Sequence, residues 1–219
     1  MGTCKQFLKN NKLFLLFILL MSVFRSAVAD WYTVPTGSMK PTIQEGDRIV
    51  VNKMAYDLKI PFSQVSLIRL NKPQRGDIVV FESSAANNRL IKRMIGLPGD
   101  VIEMKNEKVY INGKALNYAI TSQNAANLFA TEQIDGLSHL IRINKKASNQ
   151  MSSFAPMTVP QGYYLVLGDN RRDSADSRFY GFVPHHELKG KATAIAFSLD
   201  YDDYYLPRKS RFFKNIYSI

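Results

Sequence analysis

From Asp30 onward the chain carries no sustained helical period; it is a series of short β-branched and aromatic runs punctuated by glycine. Arg48–Lys53 follows Gly46-Asp47, and Asp77–Phe81 follows Arg75-Gly76. Arg89–Leu97 follows a polar loop at Glu82–Asn88, and Tyr163–Leu167 runs into Gly168. Lys191–Ser198 is a last run, and Asn112-Gly113 behind Val109–Ile111 has the composition of a two-residue hairpin turn. Runs of this length and composition are strand signals. Residues 117–158 are rich in Asn, Ser, Gln and Ala with weak periodicity, which predicts an inserted, less regular β subdomain. With no internal repeat, the pattern predicts a mainly β fold, as one domain or one domain with an insertion in 219 residues. An apolar content of 46% is ample for a core.

The first thirty residues differ. Lys5, Lys9 and Lys12 precede Leu13–Phe24, which is apolar except for Ser22. As a helix those residues span about 18 Å, or about 25 Å if Ser26–Ala29 continue it, against about 30 Å of bilayer hydrocarbon. A cleavable signal ending at Ala27-Val28-Ala29 is the rival reading. Arg25 beside that site and the nearness of Ser38 favour a single retained span over 13–29 with the lysines inside. The net charge of +11 and pI near 9.7 call for an anionic neighbour, nucleic acid or a membrane surface. The apolar run behind the lysines and the basic tail (Arg208, Lys209, Arg211, Lys214) favour lipid over nucleic acid; Trp31, Tyr32, Tyr204, Tyr205, Phe212 and Phe213 suit either the headgroup level or ordinary packing. The single cysteine, Cys4, excludes an internal disulfide framework.

Three stretches carry candidate chemistry. Val34-Pro35-Thr36-Gly37-Ser38-Met39-Lys40-Pro41-Thr42 sets a serine between two prolines that disfavour helix, and reads as a rigid extended loop presenting one hydroxyl. Arg89–Asp100 places Lys92-Arg93 ahead of Gly96-Leu97-Pro98-Gly99-Asp100. Gly168–Arg178 is an acidic and basic loop, Gly-Asp-Asn-Arg-Arg-Asp-Ser-Ala-Asp-Ser-Arg. Taken alone, the first is an ordinary Pro/Gly/Ser turn and the last a solvated turn. In this order, over roughly 31–105 and 160–200, they resemble the type I signal peptidases, membrane-bound Ser/Lys endopeptidases that remove signal peptides from exported proteins. Residues between about 106 and 158 carry little of the likeness.

Ser38 needs a base. The histidines are His139, in the weakly matching insertion, and His185-His186, in what reads as a solvated loop. The His-His-Glu cluster is too compact for a metal site, and neither metal nor cofactor is expected. Lys92 remains. If Arg93 faces the other side of the strand, Lys92 shares its face with Leu90 and Met94. At the ordinary pKa of about 10.4 roughly one lysine in 2,500 is neutral at pH 7; near 8, about one in ten is. Burial against apolar neighbours supplies such a shift. Lys92 would take the Ser38 proton and later activate the water that hydrolyses the acyl-enzyme.

The resemblance implies the remaining roles. Thr36 stands where many relatives carry serine, as oxyanion donor beside the Ser38 N–H. Ser174 matches a lysine-orienting serine. Asp176 and Arg178 match a structural ion pair, Asp169 a loop support, and Arg93 is structural. Met39 matches a position near the substrate pockets. The implied organisation is a basic cytoplasmic N-terminus at 1–12, a single anchor at 13–29 and an antiparallel β catalytic core at 30–105 and 159–205. An inserted β subdomain at 106–158 and a basic-aromatic tail at 206–219 complete it. The implied substrate is an exported preprotein cut at an Ala-x-Ala-type site, bound as an added strand, by an enzyme of the bacterial inner membrane whose catalytic domain lies outside the cytoplasm. Its partners are that preprotein and membrane lipid, without nucleic acid. A specialised Ser/Lys peptidase of a conjugation or pilus system is the nearer alternative. A soluble self-cleaving Ser/Lys repressor is remote, because it needs a DNA-binding module where this chain is apolar. A non-enzymatic anchored β domain leaves Ser38 and Lys92 unexplained.

Overall fold

The computed structural model describes residue 6, residues 10–63 and residues 65–217. Helix α1 (Lys12–Ala27) leads into β1 (Ala29–Thr33) and, after the loop bearing Ser38, β2 (Asp47–Asn52). A ribbon of β3 (Asp57–Lys59) and β4 (Ser66–Arg69) follows, then β5 (Ile78–Ser83) and β6 (Asn88–Gly96). Next come β7 (Val101–Lys105), β8 (Lys108–Ile111), β9 (Lys114–Ala115), β10 (Asn117–Gln123), β11 (Asn127–Ile134), β12 (Leu137–Asn144) and β13 (Phe154–Thr158). Strand β14 (Tyr163–Leu167), the single turn α2 (Ser177–Tyr180) and β15 (Val183–Pro184) precede the long β16 (Leu188–Asp200) and the short β17 (Leu206–Pro207) and β18 (Lys214–Asn215).

The main sheet runs β1-β2-β16-β5-β6-β14-β15, with β17 and β18 also paired to β16. Its ladders are antiparallel. Strand β5 sits near the middle, and its apolar run Ile78-Val79-Val80-Phe81 is buried on both faces. The pleat sends Ile78 and Val80 into a cluster with Val34, Met39, Ile43, Ile49 and Ile195. Val79 and Phe81 enter another with Tyr56, Met94, Val166 and Leu188. The mainly β expectation therefore holds.

The segment from 106 to 158 is more regular than its composition suggests. Strands β10, β11 and β12 form a three-stranded meander, and β13-β7-β8-β9 a four-stranded sheet. Asn112 (φ 52°) and Gly113 (φ 79°) make the expected hairpin turn, with Ile111 paired to Lys114. These strands share a core with the main sheet: Ile102, Met104, Val109 and Ile134 pack with Ile95, Leu165 and Leu167. Weak sequence alternation fits a sheet whose outer face is polar, as in β10, where every residue is at least partly exposed.

Two expectations are corrected at the N-terminal end. The helix stops at Ala27, because Ala29–Thr33 pair with Arg48–Asn52 as β1, so the predicted 13–29 span is not continuous. Among the described residues no helix is long and apolar enough to cross a membrane. The lysines at 5 and 9 lie outside the described residues. Nor is the Ser38 loop extended: Lys40 N–H donates to the Gly37 carbonyl at 3.0 Å and Ile43 N–H to the Met39 carbonyl at 3.0 Å, so it folds through consecutive turns. It is neither helix nor strand, as expected.

Candidate active site

The loop between β1 and β2 and the strand β6 bring Ser38 and Lys92 together across the sequence: Lys92 Nζ lies 2.7 Å from Ser38 Oγ. Strand β6 positions the lysine through the register Val79 opposite Lys92 and Ile78 opposite Arg93. Lys92 is 2% exposed. Leu90 and Met94, two residues either side on the same strand face, pack in one apolar cluster. Burial disfavours the ammonium and, although Asp176 and Asp169 pull in the opposite sense, leaves the Lys92 pKa pushed down to about 8. A neutral amine is then accessible near neutral pH, within hydrogen-bond reach of a half-buried hydroxyl. That pair can transfer a proton from Oγ to Nζ.

Arg93 leaves the strand on the opposite face. Its Nε and Nη2 bond the Asp169 carboxylate at 2.8 and 2.7 Å, and Nη1 donates to the Gly76 carbonyl at 2.9 Å. Both partners are buried. Burial alone would raise the Asp169 pKa, but the Arg93 charge and hydrogen bonds outweigh it and hold the carboxyl below its usual value. Asp169 also accepts from Thr42 Oγ1 at 2.5 Å, on the serine loop. Next to it, Asn170 N–H donates to the Ser38 carbonyl and Asn170 Nδ2 to the Gly37 carbonyl, each at 3.0 Å. Thus the 168–178 loop grips the serine loop at three points while anchored to the lysine strand. Asp169 was expected as a support. Thr42 and Asn170 lie in quoted motifs, but side-chain type alone gives no sign of these contacts.

The remainder of that loop closes on itself. Asp176 accepts from Gly168 N–H at 3.0 Å, from Ser174 Oγ at 2.8 Å and from Arg178 Nε and Nη2 at 2.8 Å each. The hydroxyl of Ser174 is thus donated to Asp176. Gly168 admits no side chain: a Cβ there would stand 2.2 Å from Ser174 Oγ and 2.5 Å from the Ser38 carbonyl oxygen. The absent side chain lets the serine loop and Ser174 approach from two sides.

Thr36 is exposed. Among the described residues no backbone carbonyl accepts from the Ser38 N–H, which leaves that donor available at the hydroxyl. Met39 is 1% exposed and packs with Val34 and Ile43, so its side chain supports the loop from the core instead of lining a surface pocket. Two of the three histidines are engaged elsewhere, and His186 is exposed. His139 is buried beside Glu132, at 3.1 Å. His185 is held between Tyr164 Oη (3.0 Å) and Asp57 (2.9 Å), so its loop is less solvated than the sequence suggests.

A buried link unannounced by the sequence joins the loop to the 106–158 segment. Arg171, 1% exposed, donates to Glu132 on β11 at 2.5 Å, and Arg172 to Glu107 at 2.7 Å. Tyr118 Oη closes on the second Glu132 oxygen.

Comparison with known proteins gives the family. The family model described as signal peptidase, peptidase S26, matches residues 7–197. A signal peptidase I of Pseudomonas aeruginosa is 36% identical over 196 residues, covering 82% of this chain and 68% of the relative. One from Aquifex aeolicus is 32% identical over 222 residues, covering 84% and 82%. A crystal structure of a signal peptidase I from Enterococcus faecalis matches at 34% identity over 56% of this chain and 97% of that one, with a TM-score of 0.37. This chain belongs to the signal peptidase family, peptidase S26, and is a serine endopeptidase.

Proposed function

We propose that the chain is a membrane-anchored signal peptidase that cleaves exported preproteins at Ala-x-Ala-type sites, with Ser38 as nucleophile and Lys92 as general base. The observation that carries this is the 2.7 Å contact between Ser38 Oγ and the buried Lys92 Nζ. Ser38 Oγ attacks the scissile carbonyl as its proton passes to Nζ, and the protonated lysine then gives that proton to the leaving amine. Water, deprotonated by the same lysine, hydrolyses the acyl-enzyme. The Ser38 N–H and the Thr36 hydroxyl stabilise the oxyanion. Ser174, fixed by Asp176, orients the lysine, and the Arg93–Asp169 and Asp176–Arg178 pairs keep the two loops in register.

The membrane assignment rests on α1. Its apolar residues are exposed along the helix, including Leu13 at 74% and Leu20 at 59%. Sixteen residues span about 24 Å, a shortfall that local thinning and the Arg25 side chain at its end accommodate. Lys12 and the lysines before it set the cytoplasmic side, which leaves the β domain outside the cytoplasm.

The test is cleavage of a preprotein bearing an Ala-x-Ala site, in detergent, by wild type, Ser38→Ala and Lys92→Ala. Product at that bond from wild type alone is expected. Equal cleavage by Lys92→Ala would remove the lysine from the mechanism. A folded wild type that leaves the preprotein intact would overturn the general substrate.

A further inference from the structure

Two backbone edges near Ser38 have no strand neighbour among the described residues. Strand β1 ends the main sheet and pairs only with β2. Strand β6 pairs with β5 from Asn88 to Arg93, but β14 meets it only from Arg93 onward, which leaves the outer edge of Asn88–Lys92 unpaired. The sheet curls so that these two edges come together. The Arg89 guanidinium lies over the Tyr32 ring, 4.4 Å from its centroid, and Tyr32 and Ile91 pack on the same apolar cluster. Strand β1 leads into the serine loop and β6 carries Lys92, so both edges end at the contact between Ser38 and Lys92. A peptide strand added to either edge is led to Ser38.

At its Arg89 end this slot opens into a cavity lined by Tyr32, Lys53, Lys59, Glu82, Arg89 and Lys189, with the end of α1 as one wall. Glu82 is the one carboxylate of the lining among the described residues, and it is shared between Arg89 at 2.8 Å and Lys189 at 2.7 Å. Lys59 Nζ donates to the Leu188 carbonyl at 2.5 Å, a neutral partner. Lys53 Nζ reaches the Arg25 carbonyl at 2.7 Å and Asp30 at 3.2 Å, and Asp30 also pairs with Arg25. The cations therefore outnumber the carboxylates. Burial, and next to it the Lys189 charge, hold the Lys59 pKa below its ordinary value, as crowding of like charges requires. The Arg89 side chain is 42% exposed, so an incoming group can reach it. A cavity lined by one sign of charge attracts the opposite sign and repels its own.

We propose that this cavity makes the peptidase charge-selective: Arg89, with Lys53, Lys59 and Lys189 behind it, favours a substrate carrying Glu or Asp at the fourth residue before the cut and disfavours Lys or Arg there. The inference rests on the readings of Ser38 and Lys92 as the reacting pair and of α1 as membrane-inserted. In those readings the signal segment leaves the bilayer beside α1, whose end walls the cavity, and runs to Ser38 parallel to β1 and β6. Residues upstream of the cut therefore pass Arg89. Arg89 precedes Lys92 by three residues, about 10 Å along β6. Three residues upstream of the one whose carbonyl is attacked is the fourth before the cut. The small side chains of an Ala-x-Ala site occupy the first and third positions and leave the fourth free to carry charge.

The test uses the full chain in an uncharged detergent, with peptides that share one Ala-x-Ala site and differ in a single residue. Glu, Gln or Lys is placed at the fourth residue before the cut, and in a second set at the fourth residue after it. In the first set kcat/KM should fall in the order Glu, Gln, Lys, with Glu ahead of Lys by about tenfold at low ionic strength. The ratio should shrink towards one in about 1 M salt, where the screening length is about 3 Å. In a Lys59→Gln, Arg89→Gln double variant of unchanged circular dichroism, the Glu-to-Lys ratio should drop to within about twofold of one, whatever its absolute rate. If wild type cuts the Gln peptide but treats Glu and Lys alike, charge selection is refuted and the peptidase reading stands. If it cuts none of the peptides, that reading fails and this inference with it. A Glu preference confined to the set substituted after the cut would overturn the upstream assignment. A preference that persists in 1 M salt or survives the double substitution would overturn the cationic cavity as its source.

Discussion

Replacing Lys92 by methionine should make the protein inactive and more stable, and the gain should disappear with rising pH. The side chain is 2% exposed and its pKa is pushed down to about 8, whereas in the unfolded chain it returns to about 10.4. A depressed pKa means the unfolded state holds more protons between the two values, so the lysine destabilises the fold below pH 8, and this penalty fades through the window from 8 to 10.4. At 1.36 kcal/mol per pKa unit, the penalty is about 3 kcal/mol at pH 7 and less than about 1 kcal/mol at pH 10. Methionine is close in volume and apolar, so it should remove the penalty without opening a cavity. Loss of the Ser38 hydrogen bond lowers both values together. The assay is urea unfolding in detergent, followed by circular dichroism, of wild type and Lys92→Met at pH 7 and pH 10. The difference between the proteins should shrink by about 2 kcal/mol between those pH values. A difference that is flat with pH would show that Lys92 titrates normally, and the base argument would fail with it.

The same shift predicts that kcat/KM for a preprotein rises with pH through about 8, because the working form of Lys92 is deprotonated; a rise centred near 6.5 would point to a histidine. Gly168→Ala should cost at least about 100-fold in kcat while the domain stays folded, since the added methyl meets Ser174 Oγ and the Ser38 carbonyl and displaces the serine by a fraction of an ångström; unchanged kcat would refute the packing role. Asp169→Asn should destabilise by about 3–5 kcal/mol, read by urea unfolding at pH 7, because it leaves the buried Arg93 charge unpaired. Asp169 ionises below its usual range, so the stability it contributes is present above about pH 4 and is lost as pH falls through its lower folded value. Glu132→Gln should loosen the 168–178 loop through Arg171, and raised amide exchange at Asn170 and Arg171 is the expected sign.

What could be read in advance follows the range of the interactions. Strands β2, β5, β6, β14 and β16 announce themselves through local β-branched runs, and the hairpin at Asn112-Gly113 through its φ requirements. Ser38 and Lys92 were legible from motifs, and the expected face of Lys92 agrees with the packing of Leu90 and Met94. The meander at 117–144 looks irregular in sequence because its outer face is polar and its alternation shallow. Only Ala29, the first residue of strand β1, reads from sequence as the end of a helix; pairing with β2, a long-range contact, makes it strand. The same limit hid Thr42 and Asn170, whose partners lie over a hundred residues away. Arg171, in a polar loop, looked solvated; a carboxylate on β11 buries it.

Strand β16 has a consequence for biogenesis. It lies between β2 and β5, pairing Lys191–Ser198 with the first and Leu188–Lys191 with the second. Ser38 belongs to the β1–β2 side and Lys92 to the β5–β6 side, so the two partners of the 2.7 Å contact are carried on halves of the sheet joined through a strand made long after both. Until residues 188–200 have been made and released, the sheet has a gap where that strand belongs. Strand topology therefore makes completion of the main sheet wait on a segment near the end of the described chain.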